Sequence, residues 1–315
     1  MHKRTKKRIK QFVRRPFEWV GIALGFAVFT FLPRRMMLAA CDCASAIMYC
    51  FDGSGKALAR SNLRVLFGRD VPGAEKIIRR SYRNMARTIG HAFWTCCNSA
   101  RRAASAGEMS AEGAAFLAAN RPAVTVSAHI GCWEILSQLA FLEGHRMVSV
   151  AKDIGTGAMT ALLMRARRSI GQEIVRADGA FRPLMQSLKE GKSLGLLVDQ
   201  VVKPRDGGIW VRFFGRPVPV SAAPAFFAAK GKAPVVIAWS RPLKDGRYRC
   251  EVVKTYAPDD ARDIWGFTQK CIHDLEAVIR RHPSCWVLNY RYFRKTPSAE
   301  ELALLESRER KQGGA

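Results

Sequence analysis

The chain has 315 residues, 48% of them hydrophobic, which suits one large α/β domain or two small ones and excludes a chain disordered throughout. Lys and Arg number 52 against 26 Asp and Glu, a formal charge of +26, so the partners to expect are anionic: nucleic acid, anionic lipid, phosphorylated sugar or an acidic carrier protein. The nine cysteines are scattered, and no CxxC pairs with a second CxxC or with spaced histidines; no metal site is expected, and the thiols read as reduced in a cytosol-facing protein.

The first fifteen residues, MHKRTKKRIKQFVRR, carry eight basic residues and no acid. Without them 44 basic residues still face 26 acids, so the basicity belongs to the body of the protein as well. Trp19 to Leu32 is an uncharged run, shorter than the ~20 residues that span a bilayer. Pro33, Arg34 and Arg35 follow, then a second apolar run to Phe51 broken only by Asp42. Cations on both sides of the first run suit a short or tilted anchor, or a helix lying in the interface over anionic lipid. A signal peptide and a buried core helix are the alternatives. Residues 1–52 are thus expected to be a basic N-terminus and membrane anchor. Residues 53–107 form a helical segment, with apolar positions at helical spacing over 57–98 and a linker at 101–107.

From 108 to 297 strand and helix signals alternate. Strands are predicted at 123–128, 147–151, 173–175, 194–198, 209–213, 235–239, 248–255 and 285–289. Helices are predicted at 132–142, 156–170, 181–189, 221–230 and 260–281, and 298–315 is a tail. The alternation predicts an α/β fold, a mainly parallel central sheet flanked by helices, with an N-terminal membrane-associated helix. Sites in such sheets lie beyond the carboxyl ends of the strands, where His129 and Asp199 both fall.

The stretch VSAHIGCWEIL, 126–136, places His129 at a strand end and Glu134 in the first turn of the next helix. Five residues apart is a poor match for one helix face, but across a strand–turn–helix junction the carboxylate can fold back and orient the imidazole. The imidazole can then take a proton from a hydroxyl, and N–H groups at the helix start can help bind an oxyanion or phosphate. The plainer alternative is a core histidine and a glutamate that complements the helix dipole. Cys132, in the same turn, is a further nucleophile candidate.

From about residue 15 to 297 the chain resembles the lipid A biosynthesis (late) acyltransferases. The resemblance is carried by SNLRVLFG, YRNMARTIGHAFW, AHIGCWE, RARRSIGQEIVRADGAFRPLMQSLKEGKSLGLLVDQ, FFGRPVPVSAAPAFFAAKGKAPVVIAW and CWVLNYRYFRKTP. It implies a membrane-bound enzyme that moves an acyl chain from acyl carrier protein to a hydroxyl of a lipid A precursor, with another glycolipid or an aminolipid as the alternative acceptor, without a cofactor. It further implies the inner membrane, with the catalytic domain on the cytoplasmic face. By the family pattern His129 and Glu134 are the catalytic pair. Arg167 would polarise the thioester carbonyl or hold phosphate, with Arg165 and Arg168 as near neighbours for that role. Asp199 would position the arginine or the site, and Arg216 would contact a substrate phosphate. Cys132 departs from the family box, which usually has Asn there. Phe213, Phe214, Phe226 and Phe227 are candidate liners of an acyl groove, with core packing as their alternative. A nucleic-acid-binding protein would also be basic, but no helix-turn-helix, zinc or RNP-type motif is present, and no nucleic-acid partner is expected. A peripheral membrane scaffold is the third class.

Overall fold

A computed structural model describes residues 25, 27, 28, 30–96, 99–151, 157–169 and 171–313. The basic run at 1–15 and most of the apolar run to Leu32 lie outside the described residues.

Helix α1 (Arg34–Phe51) buries Met37, Cys41, Ser45 and Tyr49, a stripe with a spacing of four. That stripe packs on α3 (Ala74–Trp94), where Arg87 Nε and Nη2 each lie 2.7 Å from the Asp42 carboxylate. The acid that interrupts the apolar run is therefore an internal clamp. Elsewhere α1 exposes Met36, Ile47, Met48 and Phe51. Helix α2 (Gly53–Phe67) follows after a 91° bend. Among the described residues no single helix is long and apolar enough to cross a membrane, although α1 and α2 together have the length and composition for it.

The stretch 101–107, expected as a linker, is instead the helix α4 (Ser99–Ala106) running into a short strand, β1 (Gly107–Met109). Then come α5 (Ala111–Ala119), β2 (Val124–Ser127), α6 (Trp133–Leu142), β3 (Met147–Ala151), α7 (Gly157–Ser169), β4 (Glu173–Arg176), α8 (Phe181–Lys189) and β5 (Ser193–Leu197). After the hairpin β6 (Gly208–Phe213) and β7 (Arg216–Ser221) follow α9 (Ala223–Gly231), β8 (Val235–Pro242), β9 (Tyr248–Tyr256), α10 (Ile264–Arg281) and α11 (Ala299–Gly313).

The seven-stranded sheet has the order β1-β9-β8-β2-β5-β3-β4. Strands β8, β2, β5, β3 and β4 are mutually parallel, β9 runs antiparallel to β8, and β1 is parallel to β9. The fold is thus α/β with a mostly parallel sheet flanked by helices. Every residue of β2 is buried, as a central parallel strand covered on both faces requires.

Two expected strands change place. The 209–213 strand belongs to the separate antiparallel hairpin β6–β7. Its second strand carries Pro217 and Pro219, tolerated because a two-stranded ribbon leaves an edge that needs no N–H donor. Residues 285–289, expected as a last strand, are a 3-10 turn (Pro283–Cys285) and an irregular segment in which Trp286 and Leu288 are fully buried. Beyond them α11 buries Leu305 against Trp210 and Trp265 and pairs Glu309 with Arg212 at 2.8 Å.

Candidate active site

Strand β2 delivers the chain to a turn, 128–132, that every neighbour fastens. Gly131 has φ +63°, and a Cβ there would collide with the Ser240 carbonyl of β8, so the position takes only glycine. Its N–H donates to Cys285 O at 2.9 Å, and Cys132 N donates to Ser240 Oγ at 2.7 Å. Thr88 of α3 donates to Gly131 O at 3.1 Å. The turn sets the His129 side chain at the carboxyl end of the sheet, with 20% of it exposed.

The carboxylate on His129 is Asp199, which lies just beyond β5. Nδ1 lies 2.7 Å from Asp199 Oδ1. The other oxygen, Oδ2, accepts from His129 N at 3.1 Å, Trp286 Nε1 at 2.9 Å and Tyr292 OH at 3.4 Å. Asp199 is fully buried, and burial alone would raise its pKa; the His129 charge, the His129 hydrogen bonds and that of Trp286 outweigh it and hold the carboxyl below its ordinary value. An ionised Asp199 keeps the proton on Nδ1, so Nε2 presents the basic lone pair. At 3.2 Å from Nε2 stands the side-chain amide nitrogen of Gln200.

This corrects the pairing expected from the sequence. Glu134 is not the partner of His129. It is buried and engaged by Arg167, whose Nη2 lies 2.6 Å from Oε1 and Nε 3.0 Å from Oε2. A two-point guanidinium–carboxylate fork of this kind fixes both planes. Burial would lower the Arg167 pKa, but the adjoining Glu134 carboxylate outweighs it and raises it. Of the two roles expected for Asp199, positioning the arginine or the site, the structure shows it on the histidine and not on Arg167. Trp133 joins the two pairs: its indole Nε1 donates to Glu134 Oε1 at 3.1 Å, and its rings meet the His129 ring edge-on at 5.0 Å.

Beside Trp133, Glu134 and Arg167 opens a cleft of about 830 Å³, counting the part open to solvent. It runs between the sheet and α5 and α6, over Leu136, Ala140, Met147 and Leu197, toward Phe116. The cleft is mainly apolar with a few hydroxyls, among them Thr125 and Ser149 on either side of Gly195, where a Cβ would come within 2.9 Å of Ser149 Oγ. A depth of hydrocarbon wall with polar groups at one end is the usual form of a site for an apolar chain with a polar head.

Arg165 and Arg168 are exposed and Arg216 is exposed at the start of β7, so of the four arginines singled out only Arg167 reaches the cleft. None of Phe213, Phe214, Phe226 and Phe227 lines it. Phe213 and Phe214 pack near Trp286, while Phe226 and Phe227 pack on Phe181. Cys132 is fully buried and its thiol is pushed up to about 12, chiefly by desolvation, which leaves no thiolate for a nucleophile. Four N–H groups of the turn are engaged and cannot serve an oxyanion: they donate to Asp199 (His129), Ala128 O (Ile130), Cys285 O (Gly131) and Ser240 Oγ (Cys132).

Trp133 and Gln200 were legible as neighbours of singled-out residues, but Trp286 and Tyr292 were not. They lie 87 and 93 positions beyond Asp199, and only the folded chain brings them to it. A search of curated proteins finds no match to the chain. The family model described as bacterial lipid A biosynthesis acyltransferase matches residues 3–295, nearly the whole chain. With a match of that length, the chain belongs to the bacterial lipid A biosynthesis acyltransferase family.

Proposed function

We propose that this acyltransferase moves a fatty acyl chain from an acyl carrier protein thioester to a hydroxyl of a lipid A precursor, with His129 as general base and Asp199 as the carboxylate that orients it. The observation that carries the reading is the 2.7 Å contact of Nδ1 with Asp199, which leaves Nε2 as a base, on a histidine whose ring meets Trp133 in the wall of the apolar cleft. The acceptor hydroxyl gives its proton to Nε2 as its oxygen attacks the thioester carbonyl. The imidazolium, stabilised by Asp199, then protonates the departing sulfur. General-base catalysis of this kind contributes roughly 10²–10⁴-fold. The acyl chain lies in the cleft, and the Arg167–Glu134 fork holds a fixed dipole at its polar end, where the thioester carbonyl or a phosphate is presented. This replaces the His/Glu pairing with His/Asp and gives Glu134 the task of holding Arg167.

The basic surface suits an acidic carrier protein, the phosphates of the acceptor and an anionic membrane. The exposed apolar side chains of α1 and the basic composition of residues 1–15 suit attachment to the cytoplasmic face of the inner membrane. Mass spectrometry of lipid extracts from cells with and without the protein tests the reading. The expected result is one fixed acyl mass gain on a phosphorylated glucosamine lipid. A gain confined to another lipid class would overturn the acceptor, and no gain on any lipid would overturn the function.

A further inference from the structure

We infer that Gln200 is a further catalytic residue: its side-chain amide holds the resting Nε2 of His129 and, once displaced by the acceptor hydroxyl, donates to the oxyanion of the tetrahedral intermediate. The inference rests on the acyl-transfer reading above and adds to it the oxyanion donor.

Three observations carry it. Gln200 directly follows Asp199, whose carboxylate is anchored by His129, Trp286 and Tyr292, and Val202 N is tied to Pro219 O of the hairpin at 2.9 Å. The Gln200 backbone is thus held between two anchored neighbours, within side-chain reach of the imidazole. Its amide nitrogen lies 3.2 Å from Nε2, and with the proton held on Nδ1 by Asp199, Nε2 needs a donor there. An acceptor hydroxyl must come within about 2.6–3.2 Å of the same nitrogen, so it takes the place of the amide. Finally, four N–H groups of the turn are engaged: those of His129, Ile130, Gly131 and Cys132 are all bonded elsewhere. Arg167 has Nε and Nη2 committed to Glu134. The Gln200 amide is a neutral donor next to Nε2.

In the addition step the hydroxyl oxygen bonds to the thioester carbonyl carbon, and its proton passes to Nε2. The carbonyl π electrons move onto oxygen, which receives the Gln200 N–H. On collapse the C–S bond breaks and the sulfur leaves with the proton from Nε2.

The test compares Gln200→Ala, Gln200→Glu and His129→Ala with the wild-type full chain, in a transfer assay from acyl carrier protein thioester to a lipid A precursor over about pH 5–9. Gln200→Ala is expected to lower kcat by about 10²–10³-fold, the usual loss of one oxyanion donor, with KM within threefold. Gln200→Glu sets a carboxylate against Nε2 and favours the imidazolium, so the acid limb of the pH–rate profile should move at least one unit to higher pH. The other charged or titratable groups around His129 are Asp199 after β5, the Glu134–Arg167 pair behind Trp133, and Tyr290 and Tyr292 in the C-terminal loop. They are common to all variants, so a moved limb belongs to position 200. A merely structural role would lower the melting temperature and leave the limb in place. Both Gln200 variants within threefold of wild-type kcat and an unmoved limb would overturn the inference. If His129→Ala abolishes transfer in that case, the acyl-transfer reading survives it. Histidine ¹⁵N NMR supplies a readout independent of activity: in Gln200→Ala, Nε2 should shift toward a free, unbonded nitrogen. An unchanged Nε2 resonance would overturn the contact itself.

Discussion

Replacing Asp199 with asparagine keeps size and shape and removes one charge. In the structure Oδ2 accepts from His129 N, Trp286 Nε1 and Tyr292 OH, all donors. The amide oxygen of the substituted side chain must stay with them, so its NH2 turns to His129 Nδ1, 2.7 Å from the other carboxylate oxygen of the wild type. A donor at Nδ1 forces the proton onto Nε2, and the base is lost. Tautomer reversal in a His–Asp pair costs about 10⁴-fold in kcat, or about 5.4 kcal/mol at roughly 1.36 kcal/mol per decade. Because the three donors to Oδ2 keep their acceptor, the loss of stability should be smaller, about 1–3 kcal/mol for the charge-assisted bond. The assay is steady-state transfer from acyl carrier protein thioester to a lipid A precursor, alongside thermal unfolding. A folded Asp199→Asn protein within tenfold of wild-type kcat would refute the assignment of Asp199 as the carboxylate that sets the tautomer.

Glu134→Ala strips a buried guanidinium of its carboxylate and should cost about 3–5 kcal/mol of stability. The double variant Glu134→Ala, Arg167→Met should recover much of that in thermal unfolding, and additive losses would deny the pairing. Trp286→Phe keeps a ring in a fully buried position, stacked on Tyr292 at 4.1 Å in the wild type, but deletes the bond to Asp199. It should lower stability by about 1–3 kcal/mol and reduce kcat with KM little changed; a drop in KM alone would point elsewhere. His91 is 1% exposed, neither ring nitrogen has a partner among the described residues, and burial holds its pKa down at about 3. The unfolded chain therefore takes up this proton first, so the native state has its full stability above about pH 6.5 and loses it as pH falls toward about 3, by up to roughly 1.4 kcal/mol per unit. His91→Leu should flatten the fall in melting temperature between about pH 7 and 5, and an unaltered slope would contradict that role for His91.

What the sequence made legible follows from where each signal lies. Strands β2, β3 and β5 announce themselves because central parallel strands are short, continuous apolar runs, and the ends of β2 and β5, running into Ser–Ala–His and Val–Asp–Gln, are where the site forms. The hairpin partner β7 was hidden by Pro217 and Pro219, which argue against a strand unless the strand lies at an edge. Residues 285–289, Cys-Trp-Val-Leu-Asn, are a short apolar run like that of a strand, yet the buried Trp286 bonds Asp199 and the segment joins no strand of the sheet. The partner of His129 was hidden for the same kind of reason. Glu134 is five residues away and Asp199 seventy, and proximity in sequence favours the wrong carboxylate. Strand order settles it: β2 and β5 are adjacent and in register, Ser127 beside Leu197, so the residues two beyond each strand meet. Among three clustered arginines, only burial separates Arg167 from Arg165 and Arg168, and burial on a helix whose phase is uncertain by one residue is not a sequence property.

The mechanism turns on His129, steered by Asp199, taking the proton of the acceptor hydroxyl. Single-turnover transfer from a radiolabelled acyl carrier protein thioester to a lipid A precursor, by purified wild-type and His129→Ala protein of equal melting temperature, addresses this most directly. An acylated product is predicted with the wild type, and a rate lower by at least about 10²-fold with the variant. A His129→Ala protein that transfers the label at the wild-type rate would contradict the assignment.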